Sequence, residues 1–226
     1  MRGCIIILCL CFECVTATAR NDFKSLVPRT GKALSDFIPK GYDTLDAGQS
    51  VARGDLNKDG LEDVVLVLKN IEQENPDNLN DDADRPLIVL FRESSGYRLA
   101  SIAMNVVMCK GCGGAFGDPF VGVVIEKNIL TISHYGGSAW RWSFDTKFRY
   151  QNNDFYLIGK TYDSFWINSP CETIGDGARD YYDINFLTGD RIRIKTSEDC
   201  KELLNKKDKI KIKPLIRMAD SKVIDN

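Results

Sequence analysis

One histidine, His134, is the whole imidazole complement of the 226-residue chain, so acid–base chemistry has a single such group to draw on. No G-x-S-x-G elbow accompanies it. After residue 19 no apolar run approaches the roughly 20 residues that a bilayer-spanning helix needs, so no transmembrane segment is expected beyond that point. Lysines are scattered apart from KKDKIKIKPLIR at 206–217, and the net charge is only −2. A concentrated basic face of the kind phosphate contacts require is lacking, and nucleic acid is excluded as a partner. No repeat of fixed period runs through the chain. Propellers and solenoids announce themselves by repetition, so a complete propeller is not expected.

The first nineteen residues, MRGCIIILCLCFECVTATA, join a basic start at Arg2 to an apolar run from Cys4 to Phe12. Ala17 and Ala19 then stand in A-x-A spacing. This is the pattern of a secretory signal cleaved after Ala19, too short and too interrupted by Glu13 for an anchor. Residues 20–226 are expected to form one domain in the periplasm or outside the cell, with a flexible tail after about 215. Cys4, Cys9, Cys11 and Cys14 leave with the signal, and Cys109, Cys112, Cys171 and Cys200 remain. An even count in an oxidising compartment points to two disulfides. Of the pairings open to them, Cys109 with Cys112 as a local clip and Cys171 with Cys200 as a staple are expected. A redox site at Cys109-Lys110-Gly111-Cys112 and a four-cysteine zinc site are the rivals. Gly113, Gly114 and Gly117 favour a loop over the helix start that lowers a thiolate pKa.

Strand signals dominate. Val64 to Leu68 reads VVLVL, the continuous run of a strand buried on both faces. Residues 71–84 that follow are acidic and rich in Asn and Asp, a solvated loop. Hairpins are expected at 87–107 around Ser94-Ser95-Gly96 and at 120–135 around Lys127-Asn128. Two more are expected at 139–165 around Asn152-Asn153-Asp154 and at 181–196 around Leu187-Thr188-Gly189-Asp190. Short helices are expected near 30–38, ended before Pro39, and at 197–207 with Ser197 as cap. The fold expected is mainly β, or α+β: an antiparallel meander or sandwich of hairpins with short N- and C-terminal helices.

One segment carries explicit chemistry. Gly54-Asp55-Leu56-Asn57-Lys58-Asp59-Gly60-Leu61-Glu62-Asp63 places side-chain oxygens at first, third, fifth and ninth positions. Gly60 stands sixth, and the Leu61 carbonyl is available seventh. Hard cations of calcium's size take six to eight such oxygens from a curling loop. Leu66 stands where a helix-loop-helix sensor carries its bidentate glutamate, so the loop leads into a strand. GDLNKDGLEDVVLVL, residues 54–68, resembles the calcium loop of FG-GAP and related repeats, found in integrin-type propeller blades with the metal in a turn between strands. The resemblance implies Asp55, Asn57, Asp59, Leu61 and Asp63 as ligands of a structural Ca²⁺. The stretch from Cys109 to Gly159 also resembles exported bacterial proteins of uncharacterised role.

Ser133 and His134 are neighbours in a strand and point to opposite faces, so a nucleophile–base pair is not built there. A histidine bonded to backbone at a strand end is the plainer expectation. Trp140, Trp142, Phe144, Phe148 and Tyr150 fall at even intervals and share one face. That face is either core or, if exposed, a stacking platform. His134, Tyr135, Trp140 and Trp142 are the candidate binding face, with Gly136 and Gly137 allowing close approach of a ligand. The function expected is a non-enzymatic binding or inhibitory module that recognises a protein or envelope glycan, immunity-type proteins included. The alternative is an envelope or glycan hydrolase using carboxylate chemistry. Oligomeric state is not written in these features.

Overall fold

Paired left-handed turn residues organise the chain. In the computed structural model, which describes residues 23–73, 83–171 and 177–223, Lys127 and Asn128 take φ of 50° and 62°, and Asn152 and Asn153 take the same pair of values. Two successive positive φ values give a turn whose twist matches the strands it joins, and asparagine tolerates them well. Numbered along the chain, the smaller sheet holds β1 (Thr30–Gly31), β2 (Tyr42–Thr44), β3 (Val51–Gly54), β4 (Asp63–Asn70), β5 (Leu87–Glu93) and β6 (Gly96–Ala103). The larger holds β7 (Phe120–Glu126), β8 (Ile129–Gly137), β9 (Trp140–Gln151), β10 (Asp154–Trp166), β11 (Arg179–Asn185), β12 (Asp190–Thr196) and β13 (Glu202–Lys209). The seven strands of the larger sheet lie side by side in sequence order, every neighbour antiparallel. In the smaller sheet the order is β1-β6-β5-β4, with β3 against the first half of β4 and β2 against its end. The expected antiparallel sandwich of hairpins is therefore present, and all four predicted hairpin turns close where the turn residues stand.

The VVLVL run is continuous because β4 is buried on both sides. Val65 and Val67 face the larger sheet, where they join Val89 and Phe91 of β5 and Val123, Leu130, Ile132, Phe148 and Phe155 across the interface. Val64, Leu66 and Leu68 face the other way, into a second cluster with Phe23, Val27, Phe37, Ile88 and Leu90. A helical turn at 23–26 and a 3-10 helix at Leu34–Phe37 roof that side. Each fully buried aliphatic or aromatic side chain contributes about 1.5–3 kcal/mol. The two layers are pinned at Gln49, which bridges Gly122. At Gly48, with φ of 56°, a Cβ would lie 2.4 Å from the Val121 carbonyl oxygen, so the approach needs glycine.

Three segments differ from expectation. The helix predicted at 197–207 is instead strand β13. Ser197 does act on the backbone there, accepting from the Lys201 N–H at 3.1 Å, but it closes a turn in which Cys200 takes φ of 66°. The lysine-rich strand is held to the sheet edge by Asp208, which accepts from Arg191 at 2.8 Å through both carboxylate oxygens. The helix predicted at 30–38 shrinks to the 3-10 turn, because Thr30 and Gly31 pair with Arg98 and Tyr97 as strand β1. Past residue 215, where the sequence suggests a tail, Met218 is fully buried in the main core. The leader expected at 1–19 and residues 74–82 of the expected acidic loop lie outside the described residues. Among the described residues no helix is long and apolar enough to cross a membrane.

Candidate functional site

The Asp55 loop connects β3 to β4, so it is a turn between adjacent antiparallel strands. Its own side chains curl it. Asp55 accepts the Lys58 N–H at 2.6 Å and the Gly60 N–H at 3.1 Å, one on each carboxylate oxygen. Asn57 accepts the Asp59 N–H at 3.0 Å, and Asp59 accepts the Leu61 N–H at 2.8 Å. Gly60 has φ of 83° and open space where a Cβ would stand, so its backbone, not packing, demands glycine. From the far sheet Asn128 donates to the Asp55 carbonyl at 2.5 Å, tying the loop to the β7–β8 turn.

Asp63 behaves differently from the rest. It is completely buried, and its two oxygens accept the N–H groups of Leu56 at 2.8 Å and Arg92 at 2.9 Å. Burial pushes its carboxyl above the usual range, against the pull of those two N–H donors. The Asn57 amide nitrogen donates to Asp59 at 2.8 Å. Among the described residues no three of His, Cys, Asp and Glu converge as a ligand set. The donor types nonetheless fit a hard cation: three carboxylates, an amide oxygen and the Leu61 carbonyl on one curled loop.

Both expected disulfides are formed, Cys109 with Cys112 and Cys171 with Cys200. The first opens the short 3-10 stretch Lys110–Phe116 and fixes the backbone beside His134. Met108 donates its N–H to His134 Nε2 at 3.1 Å, the backbone-bonded histidine the sequence suggests. Nearby, the fully buried Arg85 holds Asp118 through two bonds of 2.8 and 2.7 Å and donates to the Met108 carbonyl at 3.3 Å. Burial, reinforced by the Arg85 charge, pushes the His134 pKa down to about 3. The ring is thus a neutral acceptor near pH 7, packed against Phe144 at 4.9 Å. Its Nδ1 has no hydrogen-bond partner among the described residues. Nothing in the sequence marks the Arg85–Asp118 pair, whose partners stand 33 positions apart.

The candidate binding residues divide between two faces. Register places His134, Trp142, Phe144 and Phe148 on the inner side of the larger sheet, with Trp140 continuing the row to its end. Phe144 and Phe148 are core, Trp142 is half-buried and stacks on Phe144, and Trp140 is 41% exposed. Trp140 pairs edge-on with Trp166 of β10, ring centres 5.5 Å apart. Tyr135 is on the outer side, against Phe116, which Arg141 covers at 4.8 Å. The larger sheet also outreaches the smaller one. Beyond Phe148 and Phe155, the inner faces of β10 and β11 meet residues 210–223 instead. Between them lies a cavity of about 1330 Å³, with Tyr162 and Tyr182 stacked at 5.2 Å on its floor. Sequence reasoning passes over this cavity because its roof reads as a tail.

Comparison with family models, with curated proteins and with solved structures gives no match at any of the three.

Proposed function

We propose that the protein is an exported binding module, braced by calcium, which captures an envelope glycan or a protein partner on the aromatic end of its larger sheet. The observation that carries this reading is the Trp140–Trp166 pair, with Trp140 left 41% exposed at the end of a row whose other aromatics are buried or half-buried. A large rigid ring costs little conformational entropy to bury and offers a flat apolar face with a polar edge, which suits both sugar stacking and a protein hot spot. An inhibitory or immunity-type role is the protein-partner version of the same surface. Two disulfides are compatible with an oxidising compartment.

Asp55, Asn57, Asp59 and Asp63, with the Leu61 carbonyl, would hold the ion. It would supply a fixed charge at the seam where Asn128 meets the loop, and so brace the β3–β4 turn against the larger sheet. Titration of N-acetylglucosamine oligomers into the protein tests the platform. Wild type should bind saturably, and Trp140→Ala should weaken binding about tenfold, the loss of roughly 1.4 kcal/mol expected when a contributing interface aromatic is truncated. Equal affinity of the two proteins would remove Trp140 from the site.

A further inference from the structure

The cavity beneath the C-terminal segment combines an apolar interior with charge of one sign. Its floor is Trp142, Phe144, Tyr162 and Tyr182. Its roof is the stretch 210–216, fixed at both ends: the Ile210 N–H donates to the Gly189 carbonyl at 2.8 Å, and the Leu157 N–H donates to the Ile216 carbonyl at 2.9 Å. Five charged residues line it, Lys160, Arg191, Lys211, Lys213 and Lys222, and all are cations. The chain as a whole carries 32 acidic against 30 basic side chains, so a lining without one carboxylate departs from its surroundings. Arg191 is already bonded to Asp208, which leaves four lysines to set the charge, two of them, Lys211 and Lys213, on the roof.

From these features we infer that the cavity binds a single-chain anionic amphiphile, a long-chain carboxylate. The alkyl chain lies along the aromatic floor, where apolar burial supplies the affinity. The carboxylate lies toward Lys211 and Lys213, the two lysines of the roof. At about 1330 Å³ the cavity has room for an extended alkyl chain and its headgroup. The site is separate from the Trp140–Trp166 end, so it stands or falls independently of the glycan reading.

The test uses the full chain with both disulfides formed, stripped of bound lipid by organic extraction of the medium or by passage over a hydrophobic resin. Dodecanoate, dodecanol and dodecyltrimethylammonium are titrated below their aggregation limits, followed by tryptophan emission and by displacement of a fluorescent anilinonaphthalene probe. Dodecanoate should bind saturably at one site and about tenfold or more tighter than dodecanol, the ratio given by roughly 1.4 kcal/mol of charge pairing. The cationic amphiphile should bind most weakly. Replacing the two exposed roof lysines, Lys211→Glu with Lys213→Glu, should bring dodecanoate down to the level of dodecanol and leave dodecanol unchanged. Equal affinity for the three amphiphiles, or no saturable binding of any, overturns the inference. Trp140→Ala should leave dodecanoate binding intact, which keeps this outcome apart from failure of the glycan platform.

Discussion

Acidification should reveal His134 directly. In the folded protein its pKa is pushed down to about 3, whereas in the unfolded chain it titrates near 6.5. Between those values the unfolded chain takes up a proton that the folded protein refuses. The histidine therefore costs nothing above pH 6.5, and stability is lost as pH falls through 6.5 toward 3. Each pH unit in that window removes about 1.4 kcal/mol. At pH 4.5, two units below the unfolded value, the loss attributable to this residue is about 2–3 kcal/mol. A domain of this size has a total stability of about 5–15 kcal/mol, so the effect is easily measured. His134→Gln keeps an acceptor near the Met108 N–H and removes the titration, at the expense of some packing against Phe144. Urea midpoints for both proteins at pH 7 and pH 4.5 isolate the residue, because carboxylates elsewhere contribute equally to each. Wild type should lose about 2–3 kcal/mol more than the variant on acidification. Identical losses would mean that the ring is protonated in the fold, and the account of its burial between Phe144 and the Arg85 charge would be wrong.

Calcium at a hundredfold excess over its dissociation constant should stabilise the fold by about 2.7 kcal/mol, raising the melting temperature by roughly 5–10 °C for a domain of this length. Asp59→Ala should abolish that rise, and an identical melting curve in chelator would remove the Asp55 loop as a site. Met218→Ala deletes a fully buried side chain from the main core and should lower stability by about 2–5 kcal/mol. Chain truncation after Pro214 should cost at least as much in a denaturant titration, and no loss on truncation would show that the segment is a tail after all.

What the sequence made legible was local. The VVLVL strand announced burial on both faces because the demand of each face is written in alternate residues of one short run. The hairpins were legible because Lys127-Asn128 and Asn152-Asn153 can adopt two successive left-handed conformations, which few residue pairs do without strain. That four cysteines form two disulfides followed from count and compartment, while the pairing itself was one choice among three. Alternation also separates His134 from Tyr135, so grouping the two as one binding face ran against the period-2 rule that placed Trp140 and Trp142 together. Edge strands β1, β2 and β3 were not legible: they are two to four residues long, below any measurable period, and exist because β4 and β6 offer unpaired backbone.

The C-terminal region failed for a different reason. Residues 202–209 alternate Leu204 and polar groups weakly, and their helix-like lysine and glutamate content is a local preference that tertiary pairing overrides. What decides the outcome is Asp208 meeting Arg191 and Arg193 across the β12–β13 register, together with the Cys171–Cys200 staple. Once β13 is a strand, the chain leaves it at Lys209, beside Gly189, and must return across the inner face of the sheet to reach the place where Met218 fills the core. That crossing is what encloses the cavity. A sequence window sees only Ile210, Ile212, Leu215 and Ile216 diluted among lysines, and reads a solvated tail. The aromatic floor that gives those residues a partner is supplied by Trp142, Tyr162 and Tyr182, far away along the chain, so the site exists only at the level of tertiary structure.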